Sequence, residues 1–146
     1  MENKHKILLV DSDDFLTEMY SLKLKEVGND VVVLNKIEGD FVEKVLEIKP
    51  DLISLNAMMP KVERFHFLKI LKGDKRTSYI PVIILTNLGQ KSNIREGISY
   101  GAVDYIIMAS VYPKELVDAY VSYLNDSVNY VKKYPEYLKK KFLGIF

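Results

Sequence analysis

Two short apolar stretches of this sequence each end in polar side chains that could take part in chemistry. The run Ile7–Val10 leads directly into Asp11-Ser12-Asp13-Asp14, and the run Leu52–Leu55 leads into Asn56. Carboxylates that follow a buried strand can cap the next helix. Asn56 is a neutral amide and offers no usable nucleophile. If both runs are strands of one parallel sheet, these groups lie at its carboxyl edge, where open α/β proteins place their sites.

Other kinds of site are excluded by what the sequence lacks. The chain has no cysteine, so disulfides, thiolate metal sites and cysteine nucleophiles cannot form. Its two histidines, His5 and His66, lie far apart in sequence, which argues against a zinc site. The turn after Val10 contains no glycine, and this argues against a dinucleotide fold or a P-loop. We therefore expect no cofactor.

The bulk composition favours one compact domain without a strongly charged partner. At 146 residues and 48% hydrophobic content the chain can build a single core. Its 21 basic and 20 acidic residues nearly balance, so we expect neither nucleic acid nor a membrane surface as a partner. The apolar run after Lys6 is too short for a signal peptide or a membrane span. We expect a cytoplasmic protein.

Short apolar runs alternate with helical patterns along the chain. Strands are predicted at Ile7–Val10, Val31–Leu34, Leu52–Leu55, Ile80–Thr86 and Val103–Ile107. Helices are predicted at Leu16–Val27, Glu38–Ile48, Phe65–Gly73, Ser92–Tyr100 and Pro113–Val131. Such alternation predicts parallel pairing with right-handed crossovers and helices on both faces. The expected fold is a doubly wound (βα)5 flavodoxin-like three-layer sandwich with strand order 2-1-3-4-5.

Once the strands are placed, four sequence motifs along the chain resemble those of a known family. They are Asp11-Ser12-Asp13, Pro50-Asp51-Leu52-Ile53 leading to Met58-Met59-Pro60, Pro81–Thr86 and Gly101–Tyr105. Over Lys6–Leu124 the chain closely resembles the receiver domain of bacterial two-component response regulators, the chemotaxis-regulator-like family. The resemblance implies phosphorylation at an aspartate, with a divalent metal held by an acid pair, a threonine or serine, and a lysine.

Matched onto this sequence, three of the five catalytic positions depart from the family pattern. The phosphoacceptor falls on Asn56, the acid pair on Asp11 and Ser12, the threonine on Thr86, the aromatic switch on Tyr105 and the lysine on Met108. An amide cannot form an acyl phosphate, and methionine cannot pair with a phosphoryl oxygen. The resemblance therefore implies a degenerate pseudo-receiver that is phosphorylation-independent, is not an enzyme and works as a protein–protein interaction module in a two-component-like pathway or phosphorelay.

The acidic run after the first strand leaves two interpretations open. In one, Asp11 is a structural remnant and Asp13 or Asp14 caps the first helix. In the other, Asp13 replaces the missing acid, so that Asp11, Asp13 and a backbone carbonyl near Met58 hold a metal weakly. The competing function is then an active single-domain regulator that is phosphorylated with Mg²⁺ at Asp11 or Asp13. Thr86 and Tyr105 fit either a retained switch or ordinary buried residues.

The domain division predicted from the pattern is a receiver-like domain over 1–124 and an extension over 125–146. The extension interleaves five lysines with tyrosines, phenylalanines and aliphatic residues. It fits a last helix that continues and then packs on its own domain, or a contact with a partner or a second copy. Binding to a membrane surface or to nucleic acid is the third alternative, and the small size of the basic cluster argues against it. The resemblance implies a protein partner on the fourth helix, fifth strand and last helix, roughly Lys91–Leu124, and a homodimer is possible. Because no output domain follows, we expect output through a separate partner.

Overall fold

The computed structural model describes residues 4–130. In these residues a five-stranded parallel sheet alternates with five α-helices. The strands are β1 (Lys6–Val10), β2 (Asp30–Leu34), β3 (Leu52–Leu55), β4 (Val82–Thr86) and β5 (Asp104–Ile107). The helices are α1 (Asp14–Glu26), α2 (Phe41–Ile48), α3 (His66–Gly73), α4 (Lys91–Ser99) and α5 (Pro113–Asn125), and a short 3-10 turn spans Met108–Ser110.

The sheet has the order β2-β1-β3-β4-β5 with every neighbouring pair parallel, as the sequence predicts. Alternate residues of each strand enter two separate cores. Leu8 and Val10 pack with residues of α2, α3 and α4, whereas Ile7 and Leu9 pack with residues of α1 and α5. Both faces of the sheet are therefore covered, which explains why the strands read as continuous apolar runs.

Two helix boundaries differ from the predicted ones for local reasons. The second helix begins at Phe41 instead of Glu38, because Gly39 adopts a φ of 76° and the Asp40 side chain caps the helix by accepting from the Glu43 N–H at 3.2 Å. The last helix ends at Asn125 instead of running on to Val131. Asp126 interrupts it, and a further helical stretch begins at residue 127.

Two valines within the predicted helices share the spacing of core-facing residues but are exposed. Val27 directly follows the last residue of α1, and Val128 lies beyond Asp126 with 65% of its surface exposed. The first helix instead buries the polar residues Thr17 and Ser21 beside Tyr20 and Leu24. The Thr17 hydroxyl lies 3.1 Å from the carbonyl oxygens of Asp13 and Asp14, so its burial leaves no hydrogen bond unmade.

Candidate functional site

The carboxyl edge of the sheet brings Asp11 and Asn56 together. Asp11 follows β1 and Asn56 follows β3, and the register pairs Val10 with Leu55 just before them. The backbone N–H of Asn56 donates to the Val10 carbonyl at 2.9 Å, which extends the strand pairing to the site. Asp11 is only 8% exposed, whereas Asn56 is half-buried.

The Asn56 side chain lies beside the Asp11 carboxylate, and both line one small cavity. Hydrogen bonding by the Asn56 side chain lowers the pKa of the Asp11 carboxyl. The Asn56 Oδ1 accepts a hydrogen bond from the Met58 backbone N–H at 3.0 Å. Because an ionised carboxylate can only accept, the amide nitrogen is the group of the Asn56 side chain that can donate to Asp11. An aspartate at this position would have no proton to donate when ionised.

Asp11 is a buried carboxylate with several hydrogen bonds. Its Oδ1 accepts from the Asp13 backbone N–H at 3.0 Å. Burial raises the pKa of the Asp11 carboxyl, and the charge of Asp13 acts in the same direction, while hydrogen bonding by the backbone of Asp13 and Ser12 and by the Asn56 side chain acts against it. Placed here, the side chain stabilises the turn between β1 and α1.

Asp13 caps a helix, and Ser12 is exposed to solvent. The Asp13 Oδ1 accepts from the Leu16 N–H at 3.0 Å, so Asp13 is the N-cap of α1. Ser12 is exposed. Magnesium in proteins relies on carboxylates with near-octahedral geometry. With Asp13 used as a cap and the Asn56 oxygen bonded to Met58, the side chains present do not fit a magnesium site. Among residues 4–130 there is no cluster of three or more His, Asp or Glu side chains suited to a metal.

Thr86 and Tyr105 are linked through a single residue of the loop after β4. Thr86 Oγ1 accepts from the Leu88 N–H at 3.3 Å, and the Tyr105 hydroxyl donates to the Leu88 carbonyl at 2.5 Å. Both side chains are buried, and burial raises the pKa of the Tyr105 hydroxyl. The Tyr105 ring points inward against Gly97 of α4, where an added Cβ would lie 3.0 Å from the ring.

Met108 and Met58 complete the predicted positions. Met108 begins the 3-10 turn after β5, and its side chain packs against the apolar cluster under α1 and α5. Met58 is 48% exposed, and its backbone N–H donates to Asn56 Oδ1. A thioether in an apolar contact contributes packing and no charge to this edge of the sheet.

Sequence reasoning missed a polar layer beneath the site. The Ser54 hydroxyl in β3 lies 2.5 Å from the Tyr120 hydroxyl of α5, and both side chains are buried. A cavity of about 10 Å³ beside them is lined by Asp11, Thr17, Tyr20, Ser54 and Asn56 among others. This volume is about that of one water molecule. The one available signal was Ser54, a single polar residue in an otherwise apolar strand.

A second feature that was missed connects the loop after β3 to α4. The Arg64 Nε donates to Glu96 Oε1 at 3.2 Å, and the Tyr100 hydroxyl donates to Glu96 Oε2 at 3.0 Å. Arg64 lies one residue before Phe65, whose backbone N–H donates to the Ala57 carbonyl next to Asn56. The loop that carries the site is thereby joined to the helix that packs on Tyr105. No residue spacing in the sequence indicates this pair.

Comparison with known proteins identifies the family. The model of the response regulator receiver domain matches residues 7–120. The DNA-binding dual master transcriptional regulator RpaA of Synechocystis is 37% identical over 102 residues, which cover 69% of this chain and 42% of that protein. The phosphate regulon transcriptional regulatory protein PhoB of Pseudomonas aeruginosa is 33% identical over 111 residues, which cover 76% of this chain and 48% of that protein. The chain thus spans less than half the length of these relatives.

Solved structures agree in fold and extent. The BeF3-activated N-terminal receiver domain of RstA from Klebsiella pneumoniae is 28% identical with a TM-score of 0.70, covering 82% of this chain and 97% of that one. A putative response regulator from Chloroflexus aurantiacus is 25% identical with a TM-score of 0.72, and the match covers 84% of this chain and 98% of that one. In both cases nearly the whole solved chain is matched.

The partner prediction, which excluded nucleic acid, is wrong for this group of proteins. It was drawn from the nearly neutral charge of the chain, but RpaA is a DNA-binding regulator by name, and so is MtrA of Mycolicibacterium smegmatis, 32% identical over 114 residues. Net charge reports on a domain's own surface and carries no information about a DNA-binding unit that it controls. Among residues 4–130 no helix is long and apolar enough to cross a membrane; the cytoplasmic location stays a prediction.

Three observations support the match: the family model over most of the chain, relatives above 30% identity, and the strand order with its covering helices. Receiver domains are signalling modules and are not enzymes in the classical sense. This chain belongs to the response regulator receiver domain family of two-component signalling.

Proposed function

We propose that this chain is a receiver domain that signals without phosphorylation, by binding a protein partner in one constant conformation. The observation that carries the proposal is the amide of Asn56 at the position matched to the phosphoacceptor, where its Oδ1 accepts from the Met58 backbone N–H at 3.0 Å. The same side chain lies beside the Asp11 carboxylate, and its hydrogen bonding lowers the pKa of Asp11. The amide of Asn56 presents no nucleophile.

The surrounding positions support the same proposal. Ser12 replaces the second acid and Met108 replaces the lysine, so the groups that would neutralise a phosphoryl charge are absent from the matched positions. Asp13, the nearest replacement acid, is used as the cap of α1. In the absence of a second carboxylate beside Asp11, a lysine would have little negative charge to balance. This accounts for the loss of both the acid at the position of Ser12 and the lysine at the position of Met108.

The contacts around Tyr105 support a constant conformation. Its hydroxyl is bonded to Leu88, its ring lies against Gly97, and Arg64 joins the neighbouring loop to Glu96 of α4. A conformational equilibrium shifts only when an input binds its two states differently. With phosphorylation removed as the input, we infer that signalling depends on the amount of the protein and on access to its partner.

The same geometry argues against the competing function, an active regulator that is phosphorylated at Asp11 or Asp13. Asp11 is buried and its Oδ1 accepts from the Asp13 backbone N–H, and Asp13 Oδ1 is used in the first turn of α1. Phosphorylation of either would break contacts that hold the β1–α1 turn. No contact in residues 4–130 favours this alternative.

We also propose that the partner pathway acts on DNA, because relatives covering more than two thirds of this chain are named as DNA-binding regulators. Chromatin immunoprecipitation of the tagged chain from its native cell tests this. Enrichment of discrete DNA sites is expected; recovery equal to that of an unrelated tagged protein of similar size would contradict it. The division into a receiver over 1–124 and a tail over 125–146 belongs to the same proposal, although residues 131–146 lie outside the described part.

Phosphorylation-independence is tested with beryllofluoride, a phosphoryl mimic, in the presence of Mg²⁺. We expect the amide resonances of Asn56, Thr86 and Tyr105 to stay in place at saturating beryllofluoride. A variant carrying Ser12→Asp, Asn56→Asp and Met108→Lys serves as the matched positive control and should shift. Shifts in the unmodified chain at these three amides would overturn the proposal.

A further inference from the structure

The outward face of α1 carries an apolar stripe. Phe15 is 74% exposed and Leu22 is 58% exposed, and the half-buried Met19 lies between them. The spacing of four and then three residues places all three on one side of the helix. This side is opposite the one that buries Tyr20 and Leu24 against the sheet.

The stripe has the form of a docking surface. It lines a shallow hollow of about 390 Å³ together with Glu18, Lys23 and Glu26. Single exposed apolar residues are ordinary on protein surfaces, but a contiguous apolar patch with a charged rim marks an interaction site. The rim holds two carboxylates and one lysine, so a basic occupant is favoured.

The chain itself contains a segment with the complementary chemistry. Residues 131–146 include five lysines against a single acid, Glu136, which is opposite in sign to the rim of the α1 stripe. The same segment places Tyr134, Leu138, Phe142 and Ile145 at spacings of four, four and three residues. Apolar residues at this period with lysines between them are typical of an amphipathic segment that covers an apolar surface.

The segment starts beside α5, which is the neighbour of the helix that it would cover. The Tyr130 hydroxyl is hydrogen-bonded to the carboxylate of Asp104 at the start of β5, and the Tyr130 ring packs edge-on against Tyr123 of α5. Because α1 runs from the carboxyl edge of the sheet back to its amino edge, it ends at the edge where β5 begins. α5 lies directly beside α1 in the shared core.

The length of the segment is sufficient. Sixteen residues span up to about 50 Å when extended, whereas α1, with 13 residues, is about 20 Å long. The segment can cross α5 and still lie along the whole of α1. It needs no rearrangement of the sheet to do so.

We propose that residues 131–146 dock on the outward face of α1 of the same chain. The apolar side chains of the segment cover Phe15, Met19 and Leu22, and its lysines pair with Glu18 and Glu26. Any other protein that binds this face must first displace the segment. The proposal is independent of phosphorylation, so it stands or falls separately from the proposed function.

The absence of cysteine allows a clean test on the full chain. A nitroxide label on Gly144→Cys should broaden the amide resonances of Phe15, Leu22 and Glu26 strongly, and those of the exposed Glu47 on α2 weakly. Even broadening over α1 and α2, or broadening centred elsewhere, would overturn the proposal. A mixed sample, with the nitroxide on one copy and the isotope on another, separates docking within the chain from docking between copies. Broadening of α1 in that sample would also overturn it.

Charge variants supply the matched controls. Glu18→Lys with Glu26→Lys should lower the docked fraction by about threefold, since surface ion pairs contribute modestly and both are reversed. Adding Lys139→Glu and Lys140→Glu should restore the broadening. Glu47→Lys, a single reversal on the opposite face, should change nothing. Equal broadening in all four forms would show that charge pairing plays no part and would contradict the proposed contact.

Discussion

The side-chain amide of Asn56 lies beside the buried carboxylate of Asp11, and its Oδ1 accepts from the backbone N–H of Met58 at 3.0 Å. The two residues directly follow the neighbouring strands β1 and β3. A neutral amide, whose hydrogen bonding lowers the pKa of Asp11, therefore stands where a second carboxylate would repel it.

Replacing Asn56 with Asp should destabilise the domain at neutral pH. Two carboxylates about 4 Å apart repel by roughly 1–4 kcal/mol, for dielectric constants between that of bulk water and that of a protein surface. The change also removes the amide nitrogen that can donate to Asp11. We expect the free energy of unfolding in urea to fall by about 1–3 kcal/mol. The matched control is Asn129→Asp, where an exposed asparagine also bonds to a carboxylate, Asp126, and the loss should stay below about 1 kcal/mol.

The pH dependence of that difference has a defined sign. Burial raises the pKa of Asp11, so the folded state retains a proton at pH values where the unfolded state has released it. Its contribution to stability is therefore fully favourable below the ordinary aspartate value and declines as pH rises through the raised pKa. The deficit of Asn56→Asp should shrink as the pH is lowered toward about 4. A deficit that grows on acidification would contradict this picture of Asp11.

Magnesium should have almost no effect on the melting temperature. A ligand that binds the folded state at a concentration equal to its Kd stabilises by only about 0.4 kcal/mol, and the side chains around Asp11 do not fit the ion. Differential scanning calorimetry with and without millimolar Mg²⁺ measures this. Ser12→Asp with Asn56→Asp restores two carboxylates and should gain a clear upward shift. A comparable shift in the unmodified chain would show that Asp11 and Asp13 hold the metal after all.

Gly97 should be intolerant of a side chain. A Cβ there would lie 3.0 Å from the Tyr105 ring and 3.1 Å from Phe65, so Gly97→Ala must displace one of the rings. We expect a loss of about 1–3 kcal/mol in the free energy of unfolding, with altered Tyr105 ring resonances. Gly73→Ala is the control, because it is also helical but has open space around its Cβ; it should be neutral or stabilise by up to about 1 kcal/mol. Equal effects of the two changes would refute close packing at Tyr105.

The buried hydroxyl pair Ser54 and Tyr120 should show strong coupling in a double-mutant cycle. Ser54→Ala or Tyr120→Phe alone leaves the other hydroxyl buried without this partner and should cost about 1–3 kcal/mol. The double variant should cost less than the sum of the two single ones, with a coupling of about 0.5–3 kcal/mol. The exposed pair Lys114 and Asp118 is the reference and should couple by about 0.3–0.5 kcal/mol. Additive losses at Ser54 and Tyr120 would mean that their contact contributes nothing.

The sheet was predictable because burial on both faces leaves a plain signal. Ile7–Val10 is continuously apolar and Leu52–Leu55 is apolar except for Ser54, and helical periods separate the strands, so the strand order and topology could be predicted. The helix ends were less predictable. Gly39 with Asp40, and Asp126, set the ends of α2 and α5 through single side chains that override a longer apolar period.

The candidate site was predictable in its residues but not in its contacts. Sequence indicated that Asn56 lies near Asp11, yet the direction of the Asn56 amide and the use of Asp13 as a cap depend on atoms only a structure places. Ser54 with Tyr120 and Arg64 with Glu96 join segments more than 30 residues apart, and no local spacing announces such pairs.

Intact-mass spectrometry after incubation with acetyl phosphate and Mg²⁺ tests the central claim most directly. The account predicts that the unmodified chain keeps its mass, while the variant with Ser12→Asp, Asn56→Asp and Met108→Lys gains one phosphoryl group that is lost at alkaline pH. A magnesium-dependent phosphoryl adduct on the unmodified chain, mapped to Asp11 or Asp13, would contradict it.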